Sequence, residues 1–229
     1  MRTRISPNFD ERPPPAGAIR DAAREWPGLV LASASPRRRA LLEQAGFTVE
    51  VAPADVDEAP LPDEGPGEHV RRLARAKAAA VAPRFPDRVV LGADTVVILD
   101  GRIYGKPANP AQARAFLAGF SGRDHEVLTG VCLLRLDPPV ERTWLARSVV
   151  RFKALSAEDI EAYCRLTDPL DKAGAYGIQE HGERIIERVD GLVSTVIGLP
   201  VEEVIQALAV FFTGAAGPAP ENESISESS

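Results

Sequence analysis

Apolar and polar positions along this chain switch repeatedly between the period of a strand and the period of a helix. Gly28 to Ala32 is an apolar run of strand length, and Phe47 to Val51 predicts a second strand. Between them Ser35 is placed to cap a helix with Pro36 at its first position, and Gly46 ends it. Glu68 to Val81 predicts a helix carrying Val70, Leu73, Ala74 and Val81 on one face. Val89 to Leu99 predicts one strand or a bent pair, turning at Asp100-Gly101 into Arg102 to Tyr104. Asn109 and Pro110 open another helix, through Phe116. His125 to Leu136 and Ala146 to Leu155 predict long paired strands. Ser156 and Asp159 have the spacing of a capping box. Arg184 to Val189 and Val193 to Ile197 predict a hairpin about Asp190-Gly191, and Pro200 to Phe212 a last helix. No internal repeat is visible. Hairpins beside helical crossovers predict an α/β fold with a mixed sheet.

The two ends depart from this pattern. Residues 1–26 are polar around Pro13-Pro14-Pro15 and read as a mobile extension, with a short helix near Ala18 to Glu25. Residues 214–229 are Gly, Pro, Ser and Glu with little to bury, and read as a disordered acidic tail. One domain is expected over 27–213. The chain of 229 residues is long enough for a sizeable core, and its 45% hydrophobic and 26% charged content is ordinary for a globular protein.

Charge narrows the function. A net charge of −6 argues against a broad nucleic-acid surface, so clustered arginines imply a local pocket. The two cysteines, Cys132 and Cys164, lack zinc or Cys-x-x-Cys spacing, which suggests a reducing compartment. Neither a signal peptide nor a membrane span is expected, so a cytoplasmic location is.

Six segments carry candidate chemistry. Ser33-Ala34-Ser35-Pro36-Arg37-Arg38 places hydroxyls, guanidinium groups and unpaired helix amides together, a pocket suited to phosphate. Arg39 reads as a solvated helix residue. Asp57-Glu58 offers hard oxygen ligands to Mg²⁺. Lys77 shares the apolar stripe of its helix, where an inward ammonium needs an anion. Asp94 interrupts an apolar strand, a costly place for an unpaired carboxylate, and small Gly92 and Ala93 beside it leave room for a ligand. Gly101 to Pro107 has one residue too few for a P-loop and proline where Ser or Thr would bind Mg²⁺, which leaves Lys106 as a turn lysine facing phosphate. Gly174 to Gln179 reads as a tight loop where backbone approaches a ligand, with Gln179 reading a base edge or orienting water. Serine hydrolase and zinc or thiol protease signatures are absent from the sequence.

Taken in order, these segments resemble the Maf family of nucleoside triphosphate pyrophosphatases. The matching runs are Leu31 to Arg38, Asp57-Glu58, Leu73 to Lys77, Leu91 to Asp94, Gly105 to Pro107, Ser121 to Val131, and Ala173 to Gln179 with Val196 to Pro200. The resemblance covers about residues 28 to 212. It implies a fold similar to inosine triphosphate pyrophosphatase, two lobes around a cleft, and hydrolysis of a nucleoside triphosphate to monophosphate and pyrophosphate with a divalent cation, Mg²⁺ or Mn²⁺. A homodimer is also implied.

Carried over by motif, the functional residues are Ser33, Arg37, Arg38, Glu58, Lys77, Asp94, Lys106 and Gln179. Glu58 and Asp94 would hold the metal, and Asp94 is also a candidate general base, two roles the sequence leaves open. Arg37, Lys106 and Gln179 match the subgroup preferring dTTP and UTP rather than the one preferring 7-methyl-GTP. Glu180-His181 departs from the family, which often has Gly after Gln179. Two alternatives stand beside this reading: a non-catalytic nucleotide-binding regulator of cell division, and a damaged or modified pyrimidine nucleotide as substrate.

Overall fold

The computed structural model describes residues 28–213, so the expected N-terminal extension and acidic tail lie outside the described residues. Seven strands form one mixed sheet: β1 (Leu29–Leu31), β2 (Val49–Val51), β3 (Val90–Leu99), β4 (Arg102–Tyr104), β5 (Asp124–Arg135), β6 (Val140–Phe152) and β7 (Ile186–Asp190). The order is β2-β1-β3-β5-β6-β7, with β4 also on β3. β1 pairs parallel with β2 and β3, and all other pairs are antiparallel. Helices are α1 (Pro36–Gln44), α2 (Pro66–Val81), α3 (Pro110–Phe120), α4 (Ala157–Leu166), α5 (Val193–Ile197) and α6 (Val201–Thr213).

Local sequence chemistry sets most boundaries. Ser35 caps α1 by accepting from the Arg38 amide, and Asn109 caps α3 by accepting from Gln112. Ser156 and Asp159 form the reciprocal capping box of α4. Asp100 and Gly101 both have positive φ, as the two-residue β3–β4 turn requires. The helix read through Phe116 runs on to Phe120, and the strand read from Ala146 begins at Val140.

One expected element is overturned. Val193–Ile197 is a short helix, not the second strand of a hairpin, and β7 pairs with β6 instead. The β-branched run favours a strand locally, but distant contacts win. Ser148 donates to Leu192 O at 2.9 Å and Thr129 to Thr195 O at 3.0 Å, which folds the segment back under the sheet. Gly198, at φ 124°, ends the helix.

The sheet has two distinct faces because side chains alternate along each strand. On one face, Leu91 and Ala93 of β3 pack with Leu42, Leu199, Val204 and Leu208 into one core, and Val97 and Leu99 pack with Leu117, Phe120, Phe152 and Tyr163 into another. On the opposite face Val90, Val96 and Ile98 lie under α2, against Val70, Ala74 and Ala78. Helix α2 sits unusually close to the sheet. A β-carbon on Gly92 would be 2.1 Å from Ala74 O, and one on Gly130 2.3 Å from Val70 O. The room beside Gly92 that the sequence suggested for a ligand is thus filled by helix backbone.

Candidate functional site

On one edge of β3, β1 pairs with residues 90–91 and β4 with residues 97–99. The intervening stretch, with Asp94 at its centre, has no strand on that side. A cleft of about 720 Å³ opens there, within the usual size range of small-molecule sites. All eight residues named from the sequence line it: Ser33, Arg37, Arg38, Glu58, Lys77, Asp94, Lys106 and Gln179.

Asp94 projects from β3 toward α2 and meets Lys77. The Lys77 ammonium is 2.7 Å from Asp94 Oδ1 and 2.6 Å from Glu58 Oε1, so one buried cation bridges both carboxylates. This resolves the desolvation problem of a carboxylate in an apolar strand. The hydrogen bond from Lys77 also holds the Glu58 carboxyl below its ordinary value, against its partial burial. Asp57, the other acid of that pair, instead accepts from the Ala59 amide within its own loop.

The loop carrying Glu58 is pinned by a buried acid that sequence reasoning missed. Glu64 accepts from Arg72, His69 and the Leu61 amide, and Arg72 reaches back to Ala59 O at 3.0 Å. These bonds, from Arg72 first, hold the Glu64 carboxyl far below the usual range. Glu64, His69 and Arg72 become neighbours only because α2 begins at Pro66, which composition alone does not reveal.

Thr95 points to the face opposite Asp94 and meets Arg38. Arg38 donates to Thr95 Oγ1 at 3.0 Å, Ser33 Oγ at 3.2 Å and Gly198 O at 2.8 Å. All three acceptors are neutral. Burial pushes the guanidinium below its ordinary value, and nearby Asp94 opposes that shift. Arg39 lies on the exposed side of α1, paired with Glu43.

The rim is built by the 168–180 segment. Lys172, also missed from sequence, is buried and bonds Asp168 O, Asp171 and Glu180. Asp171 pairs with Arg37 at 3.0 Å. The glycines of this loop serve packing: Gly174 lies against Val97, and Gly177 makes way for the Lys172 stem, where a β-carbon would sit 3.0 Å from Cε. Tyr176 anchors the loop beneath by a 2.7 Å bond to His125 in a cluster with Phe120 and Phe152. Burial pushes His125 down to about 4. Lys106 and Gln179 are exposed at the rim, and the charge of Lys106 acts on Glu58.

A divalent cation fits the donor set. Glu58 and Asp94 offer hard oxygens held together by one lysine, and Mg²⁺ is commonly bound through one or two carboxylates with substrate phosphates completing its shell. Among the described residues no helix is long and apolar enough to cross a membrane.

Proteins named dTTP/UTP pyrophosphatase are similar along nearly their full length. That of Symbiobacterium thermophilum is 47% identical over 82% of this chain and 98% of its own. That of Anaeromyxobacter dehalogenans is 48% identical over 80% and 93%, and that of Bacillus cereus 41% over 84% and 94%. Among solved structures, the Staphylococcus aureus Ham1 protein aligns with a TM-score of 0.45 and 14% identity, over 80% of this chain and 98% of that one. Residues 28–211, which hold every group lining the cleft, match the Maf-like protein family, and the chain belongs to that family.

Proposed function

We propose that this protein hydrolyses the α–β phosphoanhydride of nucleoside triphosphates, dTTP and UTP foremost, to the nucleoside monophosphate and pyrophosphate. The observation that carries the reading is Arg38. Its guanidinium is pinned on three neutral oxygens, and among the described residues no carboxylate forms an ion pair with it. A partly buried cation kept without a counter-charge is a preformed anion site. It lies across the open edge of β3 from the Lys77–Asp94–Glu58 group. Relatives named dTTP/UTP pyrophosphatase support the substrate class.

Each group then has a task that its surroundings suit. Arg37, Arg38, Lys77 and Lys106 neutralise the triphosphate, the main requirement of phosphoryl-transfer chemistry. Glu58 and Asp94 would hold Mg²⁺ or Mn²⁺, which when bound supplies charge neutralisation at the phosphates. Asp94, partly buried and oriented by Lys77, is the group placed to take a proton from water attacking the α-phosphorus. Ser33 orients Arg38, and Gln179 at the rim contacts the base. Apolar Ile103, Val127, Ile178 and Val196 line the rest of the cleft and offer the base a dry wall.

Purified protein is incubated with Mg²⁺ and, separately, dTTP, UTP, CTP, dATP, GTP and 7-methyl-GTP. Equimolar monophosphate and pyrophosphate from dTTP and UTP is the expected result. Release of orthophosphate instead, or no release from any nucleotide, overturns the proposal.

A further inference from the structure

Arg37 and Arg38 are adjacent, yet the cleft treats them differently. Arg38 bonds only neutral oxygens. Arg37 is held by Asp171, at 3.0 Å to Oδ2 and 3.5 Å to the backbone carbonyl. The other carboxylate oxygen of Asp171 accepts from Lys172 at 2.6 Å. Lys172 is fixed in turn: its side chain is 4% exposed, and its ammonium also bonds Asp168 O at 2.7 Å and Glu180 at 2.8 Å. Asp168 caps the short turn Pro169–Asp171 through the Leu170 amide. The Asp171 carboxylate is therefore anchored from behind by a buried lysine. Among the described residues the Arg37 side chain hydrogen-bonds only Asp171, and it sits on a longer, flexible stem, so it is the partner free to move.

We infer that Asp171 is a positioning residue for the reaction: it holds Arg37 in the empty cleft and competes with phosphate for that guanidinium. The inference rests on the nucleotide-hydrolysing reading above. Every ligand that uses Arg37 must first take it from Asp171, and it then faces an unreleased carboxylate nearby. Substrate and pyrophosphate both bind more weakly than the cations alone would allow. Weaker ground-state binding costs little when substrate is plentiful, and it speeds departure of a highly charged product. Partial burial pushes the Asp171 carboxyl up, but hydrogen bonds from Lys172 and Arg37 outweigh it and keep the competitor ionised.

The test is calorimetric binding of inorganic pyrophosphate with Mg²⁺ to the full chain, with KM and kcat for dTTP measured alongside. Asp171→Asn, with Asp171→Ser as a second variant, is expected to bind pyrophosphate about five-fold more tightly, the scale of a partly exposed ion pair. KM falls in parallel, and kcat does not rise. Asp171→Glu restores the weaker binding. In an Arg37→Met background the gain from Asp171→Asn drops below about two-fold, since the two residues form one thermodynamic cycle. Equal or weaker pyrophosphate binding by both Asp171 variants, in proteins that melt like the wild type, overturns the inference. So does a gain undiminished in the Arg37→Met background, or no pyrophosphate binding by any variant. Binding is read without turnover, so a wild-type protein that binds pyrophosphate but leaves dTTP intact refutes the proposed activity and leaves this test standing.

Discussion

Replacing Gly92 by alanine tests how Lys77 is placed, although Gly92 does not line the cleft. The new β-carbon would lie 2.1 Å from Ala74 O, 2.8 Å from Ala78 N and 3.1 Å from Ala74 C. All three are backbone atoms of α2, so no side-chain rotation relieves the clash. Reaching an ordinary contact requires the helix to recoil by roughly 1 Å. Two effects oppose each other in stability. Alanine restricts the unfolded chain, a gain of about 0.5–1 kcal/mol. Recoil loosens Val70, Leu73, Ala74 and Ala78 against the sheet, and over-packing of this kind costs about 1–3 kcal/mol or more. The net loss is about 1 kcal/mol, read as a lower urea midpoint with unchanged slope. Activity suffers separately. Lys77 is one turn from Ala74, and a 1 Å shift stretches its 2.6 and 2.7 Å contacts past hydrogen-bond range. Misplacement on that scale costs roughly 10²-fold in kcat for dTTP. Gly119→Ala, at a helical site with nothing within 4 Å, is the control and gains about 0.5–1 kcal/mol. A Gly92→Ala protein with wild-type stability and kcat within two-fold refutes the close seating of α2 and its control of Lys77.

Asp94→Asn keeps the fold, by circular dichroism, but lowers dTTP turnover by roughly 10²–10³, the scale of a lost charge contact at a reacting centre; near-normal turnover removes Asp94 from the chemistry. Lys77→Met releases Glu58 from the hydrogen bond that depresses its pKa, so the acid limb of the kcat/KM profile moves to higher pH; an unmoved limb shows that Glu58 does not report there. His125 is neutral in the fold, with its pKa pushed from 6.5 to about 4 by burial. Its stabilising contribution is complete above pH 6.5 and is lost as pH falls toward 4, where the unfolded chain takes a proton that the folded one refuses, amounting to about 3 kcal/mol. Urea titrations of wild type and His125→Phe across that window check this, and equal pH slopes in the two proteins contradict it.

The sequence made some residues legible because their cost was visible locally. A carboxylate inside Val89 to Ile98 and a lysine on the stripe of Leu73 and Val81 each violate a hydrophobic pattern, and each violation marks a member of the same buried ion pair. Ser35-Pro36 and Asp100-Gly101 were legible because a cap and a turn are decided within four residues. What stayed hidden was decided by partners far along the chain. Val193–Ile197 helix formation depends on Ser148 and Thr129, more than forty residues away. The space beside Gly92 was visible, but not what fills it. Lys172 and Asp171 sit in an unremarkable polar turn, and their roles depend on Arg37 from the other end of the fold. His181, at φ 57°, occupies a left-handed position that favours glycine, which its side chain did not reveal in the sequence.

The placement of Asp94 and Thr95 as consecutive residues explains why the cleft must lie where it does. Alternation sends Asp94 to the face covered by α2 and Thr95 to the face reached by α1. In a continuous sheet, two such side chains could never serve one ligand, because the sheet itself would separate them. Here the pairing with β1 ends at residue 91 of β3 and the pairing with β4 begins at residue 97, so the edge of β3 is open for a few residues. A ligand lying across that edge reaches the carboxylates and lysine on one face and the arginines on the other. Catalytic geometry then depends on two independent seatings. Helix α1 is tied down by Arg38 on Gly198 and Thr95, and α2 by its backbone contact at Gly92 and Gly130. Disturbing either one misaligns the arginines of α1 against Lys77, Asp94 and Glu58 without altering any of those side chains. Substitutions at Gly92 and at Gly198 should therefore damage turnover in the same way from opposite sides of the sheet.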